Sequence, residues 1–420
     1  LSGEQPFKAK DALGMVYAHM ASTQTPLCDM RPEVPKALSQ IVDKLMHKNA
    51  ESRYQSALGL KHDLQVCLQQ LEQGGEQPFV LGQEDISGRF NIPQVLYGRE
   101  DEVQTLMTHF YTASSGQPQC LAVAGYSGIG KSALVHEVHK PIAAFKGLFM
   151  QGKFDQFQKN VPFSALKRAL ATWLQMALSL PQTEFVALGD ELRQALGANA
   201  RVLVDFMDDF KRVLYTRVPG DLPALPEVGP QESQNRFFLV MQRFIKLVSE
   251  FRPLVIFIDD LQWADRGTLN LLPKLLSEEG CRLLVIVAYR DNEVDSTHPA
   301  IQMLEGLTPV ATTLTLGPLP PEQIQHLLED ALHRRDSEVA VLAKKIIAKT
   351  AGNPFFSIEF LKTLYTEKLL NFDMKARQWT WDLDTIEALD ITDNVVELML
   401  GKMRTLPADT QTMLQVAACV

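Results

Sequence analysis

At 420 residues, with 46% apolar and 22% charged side chains, the chain has the composition of a soluble globular protein of roughly two to four domains. A formal charge of −9 argues against a broad nucleic-acid surface, and no apolar run reaches membrane-spanning length. The cysteines Cys28, Cys67, Cys120, Cys281 and Cys419 are odd in number and never in C-x-x-C spacing, so neither a disulfide framework nor a zinc site follows, and free thiols in a reducing cytoplasm are expected. Nothing at the N-terminus reads as a secretory signal. The chain opens on Leu1 rather than Met and stops at Val420 inside an apolar helical pattern, the expectation for a piece of a longer protein.

Residues 1 to about 73 read as helical, with apolar positions at helical spacing over 41–46 and 57–71, and prolines 26, 32 and 35 separating these from a segment over 11–20. A polar linker, 74–95, opens on Gly74 and Gly75. From about Leu96, short apolar strands alternate with amphipathic helices, which predicts an α/β unit with a parallel sheet. The candidate strands are 119–124, 147–152, 254–259, 283–289 and 311–316. A long insertion between the second and third reads as helical over 163–178 and 184–214, with a proline-rich loop over 219–226. After Pro318, Pro320 and Pro321 the pattern is helical over 322–332 and 338–350. A hairpin pairing 369–372 with 378–381 follows, then two helices around 394–403 and 410–420.

Gly125, Tyr126, Ser127, Gly128, Ile129, Gly130, Lys131 and Ser132 fit G-x-x-x-x-G-K-[ST]. They follow the first strand and precede a helix that Ala133 continues and Pro141 is expected to stop. That context makes the pattern a phosphate cradle: glycines let the backbone wrap a phosphate chain, and successive N–H groups supply partial positive charge. Lys131 adds a full charge for the β- and γ-phosphates, and the Ser132 hydroxyl is placed for Mg²⁺. The third candidate strand ends in Asp259 and Asp260. Asp259 is the expected metal-side acid, and Asp260 the candidate to orient or deprotonate an attacking water. Arg290 ends the fourth strand, where it either reaches a γ-phosphate or pairs with Asp291 or Glu293. Gly98 and Arg99 precede the first helix of the unit and either lie against the nucleotide or form a helix-capping turn.

These pieces together resemble the STAND class of signalling ATPases within the wider AAA-like P-loop group. The carrying residues are Gly98-Arg99-Glu100, the cradle at 125–132, Asp259-Asp260-Leu261-Gln262-Trp263-Ala264-Asp265, Tyr289-Arg290 and Gly352-Asn353-Pro354. The resemblance implies a P-loop domain over 96–318, a helical lid over 319–367 and the start of a winged helix over 368–420. It also implies ATP with Mg²⁺ as cofactors, and a turn at Pro354 near the nucleotide. Residues 1–73 resemble the tail of a protein-kinase C-lobe, through Leu1-Ser2-Gly3-Glu4-Gln5-Pro6-Phe7 and Lys48-Asn49-Ala50-Glu51-Ser52-Arg53-Tyr54. With the linker phrase at 87–93, the arrangement is similar to large bacterial hybrid serine/threonine kinases carrying histidine-kinase modules. The Gly-rich loop, strand Lys, catalytic Asp and Asp-Phe-Gly of an active kinase are missing from residues 1–95, so kinase catalysis cannot belong to this chain.

The resulting expectation is a cytoplasmic regulatory ATPase that uses Mg-ATP hydrolysis or exchange as a conformational switch and relays a signal to other domains of its parent protein. A homo-oligomer is allowed; a nucleic-acid partner is not expected. Two alternatives stay open: a scaffold that holds nucleotide without hydrolysing it, and a DNA-linked winged-helix ATPase.

Overall fold

A computed structural model describes all residues except 9–14, 16, 17, 20, 21, 76, 86, 87, 89, 94, 146, 159, 160, 216–222, 309, 389–402, 405 and 418–420. The chain forms two compact units. One comprises Gly3–Gln24 and Arg99–Gly317; the other comprises Leu1–Ser2, Thr25–Gly98 and Pro318–Val420.

The first unit is built on a five-stranded parallel sheet: β1 (Gln119–Ala124), β2 (Leu148–Lys153), β3 (Leu254–Asp259), β4 (Leu283–Tyr289) and β5 (Ala311–Thr315), in the order β2-β3-β4-β1-β5. β3 and β4 are buried at every position, which is why they read as unbroken apolar runs rather than alternating ones. The register pairs Cys120 with Val285 and Lys153 with Asp259, so the C-terminal ends of the strands share one edge of the sheet. This is the α/β P-loop fold expected from the sequence. β2 begins one residue later than its pattern suggested. The Gly147 N–H is spent closing the preceding turn on the Ile142 carbonyl, and the ladder starts with the Leu148 N–H on Pro253.

Two expectations need correction. The helix after the cradle ends at His136, and a second short helix, His139–Ala144, contains Pro141 rather than stopping before it. Pro141 falls in the first turn, where a missing N–H leaves no helical hydrogen bond unmade. The predicted helix over 184–214 is three helices, Gln182–Leu196, Ala200–Phe206 and Phe210–Leu214. Gly197 breaks the first at φ 55°, and extended Met207 separates the other two. These pack with Ser164–Leu178 and the long helix Pro230–Phe251 around Trp173, Phe210 and Phe244, whose rings meet at centroid distances of 4.9 to 5.7 Å. The insertion between β2 and β3 is therefore a helical layer with its own aromatic core.

In the second unit, Pro321–Leu332, Ser337–Thr350 and Pro354–Thr366 bury Ile324, Leu328, Leu342, Ile346 and Phe360 together. The hairpin β6 (Leu370–Asp373) and β7 (Gln378–Trp381) closes that core with Trp379, against which Phe90 of the linker packs edge-on. Lys36–Leu45 and Ala57–Glu72 are helical as the spacing predicted. The expected helix around 394–403 lies outside the described residues, as does most of the one expected over 11–20. Ala408–Ala417 carries the described part of the last helix.

The tightest approach in the first unit is at Gly152. A Cβ there would lie 2.0 Å from the Ala165 carbonyl oxygen and 2.6 Å from its carbon, so the helix Ser164–Leu178 rests directly on the end of β2. Gly152→Ala is expected to destabilise this unit by about 1–3 kcal/mol through overpacking. A lowered thermal midpoint checks this, and an unchanged one would contradict the contact.

Candidate functional site

The cradle leaves β1 at Gly125, whose φ of 150° and surroundings both exclude a side chain. A Cβ would sit 2.9 Å from both the Ile129 side chain and the Leu316 carbonyl oxygen. Gly128 and Gly130 adopt φ of 78° and 101°. Around Gly130 a Cβ would meet nothing within 4 Å, so glycine is required there by conformation alone. Lys131 opens the following helix, Lys131–His136, and folds back into the loop. Its ammonium donates to the carbonyl oxygens of Gly125 at 2.5 Å and Tyr126 at 2.9 Å. Ser132 and Ala133 continue the helix, with Ser132 half-buried and Ala133 exposed.

Lys131 is only 8% exposed, and among the described residues it makes no ion pair. Burial pulls its pKa down; the charge of Asp259 opposes this, Arg290 reinforces it, and Asp260 and Asp291 oppose it further. The ammonium thus lies within the field of the acids at the end of β3.

Asp259 and Asp260 are 7% and 4% exposed. Asp259 accepts a hydrogen bond from the Asp260 N–H at 2.9 Å, and Asp260 sits at φ 55°, a left-handed conformation that turns the chain into Leu261–Trp263. Gln262 donates to Asp260 Oδ1 at 3.0 Å and accepts from the Arg290 N–H at 3.3 Å, tying the ends of β3 and β4 together. Lys153, at the end of β2, lies 3.4 Å from Asp259 Oδ2 and 2.8 Å from Asp260 Oδ2. The Asp260 oxygen nonetheless receives no aligned hydrogen bond. For Lys153, burial acts to lower the pKa, but the close contact with Asp260 and the charges of both acids outweigh it and the net direction is upward.

Arg290 pairs with Glu293 at 2.6 Å, lies 3.5 Å from Asp260 Oδ1, and stacks over the Trp263 ring at 5.0 Å. Glu293 is one of the two salt-bridge partners its position allowed. Around the β3 end, three cations (Lys131, Lys153, Arg290) face four carboxylates (Asp259, Asp260, Asp291, Glu293). Arg99, 7% exposed, donates to the Gly317 carbonyl and pairs with Glu102 at 3.1 Å, so its guanidinium is committed within its own unit. Gly98 and Pro354 belong to the other unit. Gly98, at φ 60°, lies against the Gln323 side chain, where a Cβ would come within 2.6 Å. Pro354 opens a helix capped by Asn353, immediately after Ala351 and Gly352 end the previous one in left-handed conformations.

Asp265 has a structural task that its place in the motif did not reveal. It caps the helix Arg266–Leu276 through the Thr268 N–H at 2.9 Å, binds the Thr268 hydroxyl at 2.7 Å, and accepts from the Phe163 N–H at 3.0 Å. Phe163 stands at φ 59°, an uncommon conformation for a bulky residue, and Asp265 helps hold it there. The loop after β2 is thereby fastened to the loop after β3. Lys153 and Asp265 were both missed as site residues. Lys153 falls one position past the predicted strand, and the strand register that places it opposite Asp259 has no local sequence signal.

Residues 95–287 match the AAA ATPase domain family model. Over its whole length the chain is 29% identical to hybrid signal transduction histidine kinase G of Dictyostelium discoideum, covering 14% of that protein. It is 20% identical over 86% of its length to peroxide stress-activated histidine kinase mak3 of Schizosaccharomyces pombe, covering 18% of it. The chain therefore spans less than a fifth of the length of these curated relatives. Both are named as histidine kinases, and neither name bears on the serine/threonine kinase of the sequence resemblance. Among solved structures, it is similar to a Signal Transduction ATPase with Numerous Domains protein with a tetratricopeptide repeat sensor from Pyrococcus horikoshii. That likeness has 14% identity, 78% of this chain and 35% of that one covered, and a TM-score of 0.39, too low to carry an argument.

Asp265→Ala removes a helix cap and the Phe163 tether together. The expected loss is about 1–3 kcal/mol, a cap alone accounting for roughly 1. Thermal melting measures it, and a loss below about 0.5 kcal/mol would show the tether to be immaterial.

Proposed function

We propose that residues 96–318 form an ATPase domain that binds ATP with Mg²⁺ and works as a conformational switch in a multidomain signalling protein. The observation that carries this reading is the Lys131 ammonium. It is buried, held inside its own glycine loop by two carbonyl oxygens, without a carboxylate partner among the described residues, and within the field of Asp259 and Asp260. A buried cation satisfied only by neutral acceptors is suited to an anion that arrives from outside. The residues present fit the nucleotide and its metal. Gly125, Gly128 and Gly130 give the loop its open backbone. Lys131 can leave two carbonyls for phosphate oxygens, and the buried acids offer oxygen ligands to a hard cation.

When bound, the nucleotide supplies a phosphoanhydride bond whose cleavage is favourable, and the divalent cation neutralises its charge. The backbone of Tyr126, Ser127, Ile129 and Gly130 would line the phosphate chain, and Ser132 with Asp259 would hold the metal. Asp260, fixed by Gln262 and by its own left-handed turn, orients the attacking water and takes up its proton. Arg290, now paired with Glu293, would have to leave that partner to meet a γ-phosphate, so the salt bridge would report nucleotide state. Arg99 contributes indirectly, by anchoring the chain at Gly317.

In this reading 319–367 is the lid, 368–420 the start of a winged helix, 74–95 a linker and 1–73 the C-terminal part of a kinase lobe. Other domains of the parent protein are the partners that receive the signal. The names of the relatives, both histidine kinases, support a place in signal transduction. Inverting a population from one state to the other would need the nucleotide to prefer one state by about 5.5 kcal/mol.

Lys131→Met is expected to weaken binding of a fluorescent ATP analogue on the order of a hundredfold, since one charge-assisted phosphate contact is lost from a buried site. Binding within threefold of wild type would refute the site. Asp260→Asn is expected to keep nucleotide affinity within about threefold while lowering phosphate release at least tenfold. If wild type releases no more phosphate than this variant, the chain holds nucleotide without hydrolysing it.

A further inference from the structure

Lys153 has no part in the reading above, yet it makes the closest contact to the acids that the reading assigns to the metal and the water. Its backbone is fixed from two sides. Gly152 is pinned under Ala165, and the Phe154 N–H continues the ladder onto the Asp259 carbonyl at 3.1 Å. Arg168 also donates to the Lys153 carbonyl, at 3.3 Å. The register leaves Lys153 directly beside Asp259 on the neighbouring strand.

The exposures at this contact are unequal. The Lys153 side chain is 54% exposed, whereas those of Asp259 and Asp260 are 10% and 5% exposed. A half-exposed lysine ordinarily gains little from a surface ion pair and keeps its ammonium in water. Here it bends over two desolvated carboxylates, for which a cation is the main compensation available. With no aligned hydrogen bond to Asp260 Oδ2, the contact at that oxygen is held by charge. An ammonium on a flexible four-carbon stem, open to solvent on one side, can withdraw without disturbing the backbone.

We propose that Lys153 is the resident cation of the acidic pair: it neutralises Asp259 and Asp260 whenever no divalent cation does, and gives way when one binds. This rests on the nucleotide-site reading above. An ammonium and a divalent cation drawn to the same pair of carboxylates repel each other at that short range, so Lys153 and Mg²⁺ compete. The lysine thereby sets the Mg²⁺ concentration at which the site loads.

The test compares wild type, K153M and K153R. Binding of a fluorescent ADP analogue is titrated against free Mg²⁺, and thermal melts are recorded with and without Mg²⁺ in the absence of nucleotide. The half-saturating Mg²⁺ is expected to fall on the order of tenfold in K153M and to stay within about twofold in K153R, which keeps the charge. Mg²⁺ alone should raise the melting temperature of K153M more than that of wild type. An unchanged or raised half-saturating Mg²⁺ in K153M overturns the proposal and leaves the nucleotide site standing. If the analogue binds none of the three proteins, the nucleotide reading fails instead, and the melts decide Lys153: an equal Mg²⁺ effect on wild type and K153M overturns it. Should K153M not fold, recovery on refolding with Mg²⁺ supports the proposal, and failure with and without Mg²⁺ refutes it.

Discussion

The organising constraint in the α/β unit is the burial of two adjacent carboxylates at the end of a strand with no exposed position. Asp259 and Asp260 close β3, whose every side chain is buried between neighbouring strands and helices. Charge in such a place is tolerated only with compensation. The compensation comes from every neighbouring element at that edge: Lys153 from β2, Gln262 from the turn that follows, Arg290 from β4, and Lys131 through the field across the cradle.

Holding those ends in place is a matter of close backbone packing. Gly152 lets a helix carbonyl approach where any side chain would collide, and Gly125 does the same between Ile129 and Leu316. Asp265 fastens the loop after β2 to the helix after β3, with Phe163 held in a left-handed conformation. Strain of that kind persists only where surrounding contacts over-determine it. Here those contacts include the Phe206 and Phe237 rings, at centroid distances of 5.8 and 4.8 Å from Phe163. The helical insertion between β2 and β3 therefore supports the site from beneath as well as lengthening the chain.

The second unit is organised differently. Its core is made by three helices and a two-stranded hairpin, and the linker residue Phe90 is folded into it beside Tyr365 and Trp379. Arg334 ties the same region together, donating to the Trp379 carbonyl and pairing with Asp336 and Glu338. The segment read from the sequence as a polar linker thus contributes aromatic contacts to a packed unit. A stretch rich in glycine and polar residues gave no local sign of this.

The parallel sheet, the cradle and the acidic end of β3 were legible in the amino-acid order because each is locally encoded. Fully buried strands are written as unbroken apolar runs, left-handed turns as glycines, and the cradle as a fixed spacing of glycine, lysine and serine. What the sequence left open depended on residues far apart in the chain. Lys153 faces Asp259 because of strand register, Asp265 reaches Phe163 across more than a hundred positions, and Arg290 chose Glu293 and Trp263 from several available partners. Register, helix placement and the pairing of charges are decided by packing the whole unit, and no local pattern contains them. The sequence by itself determined that a glycine loop runs from β1 into a helix opened by Lys131 and that β3 ends in acids. Only the tertiary structure decided which cations stand beside the acids, because register and packing bring Lys153 and Arg290 to them from other parts of the chain.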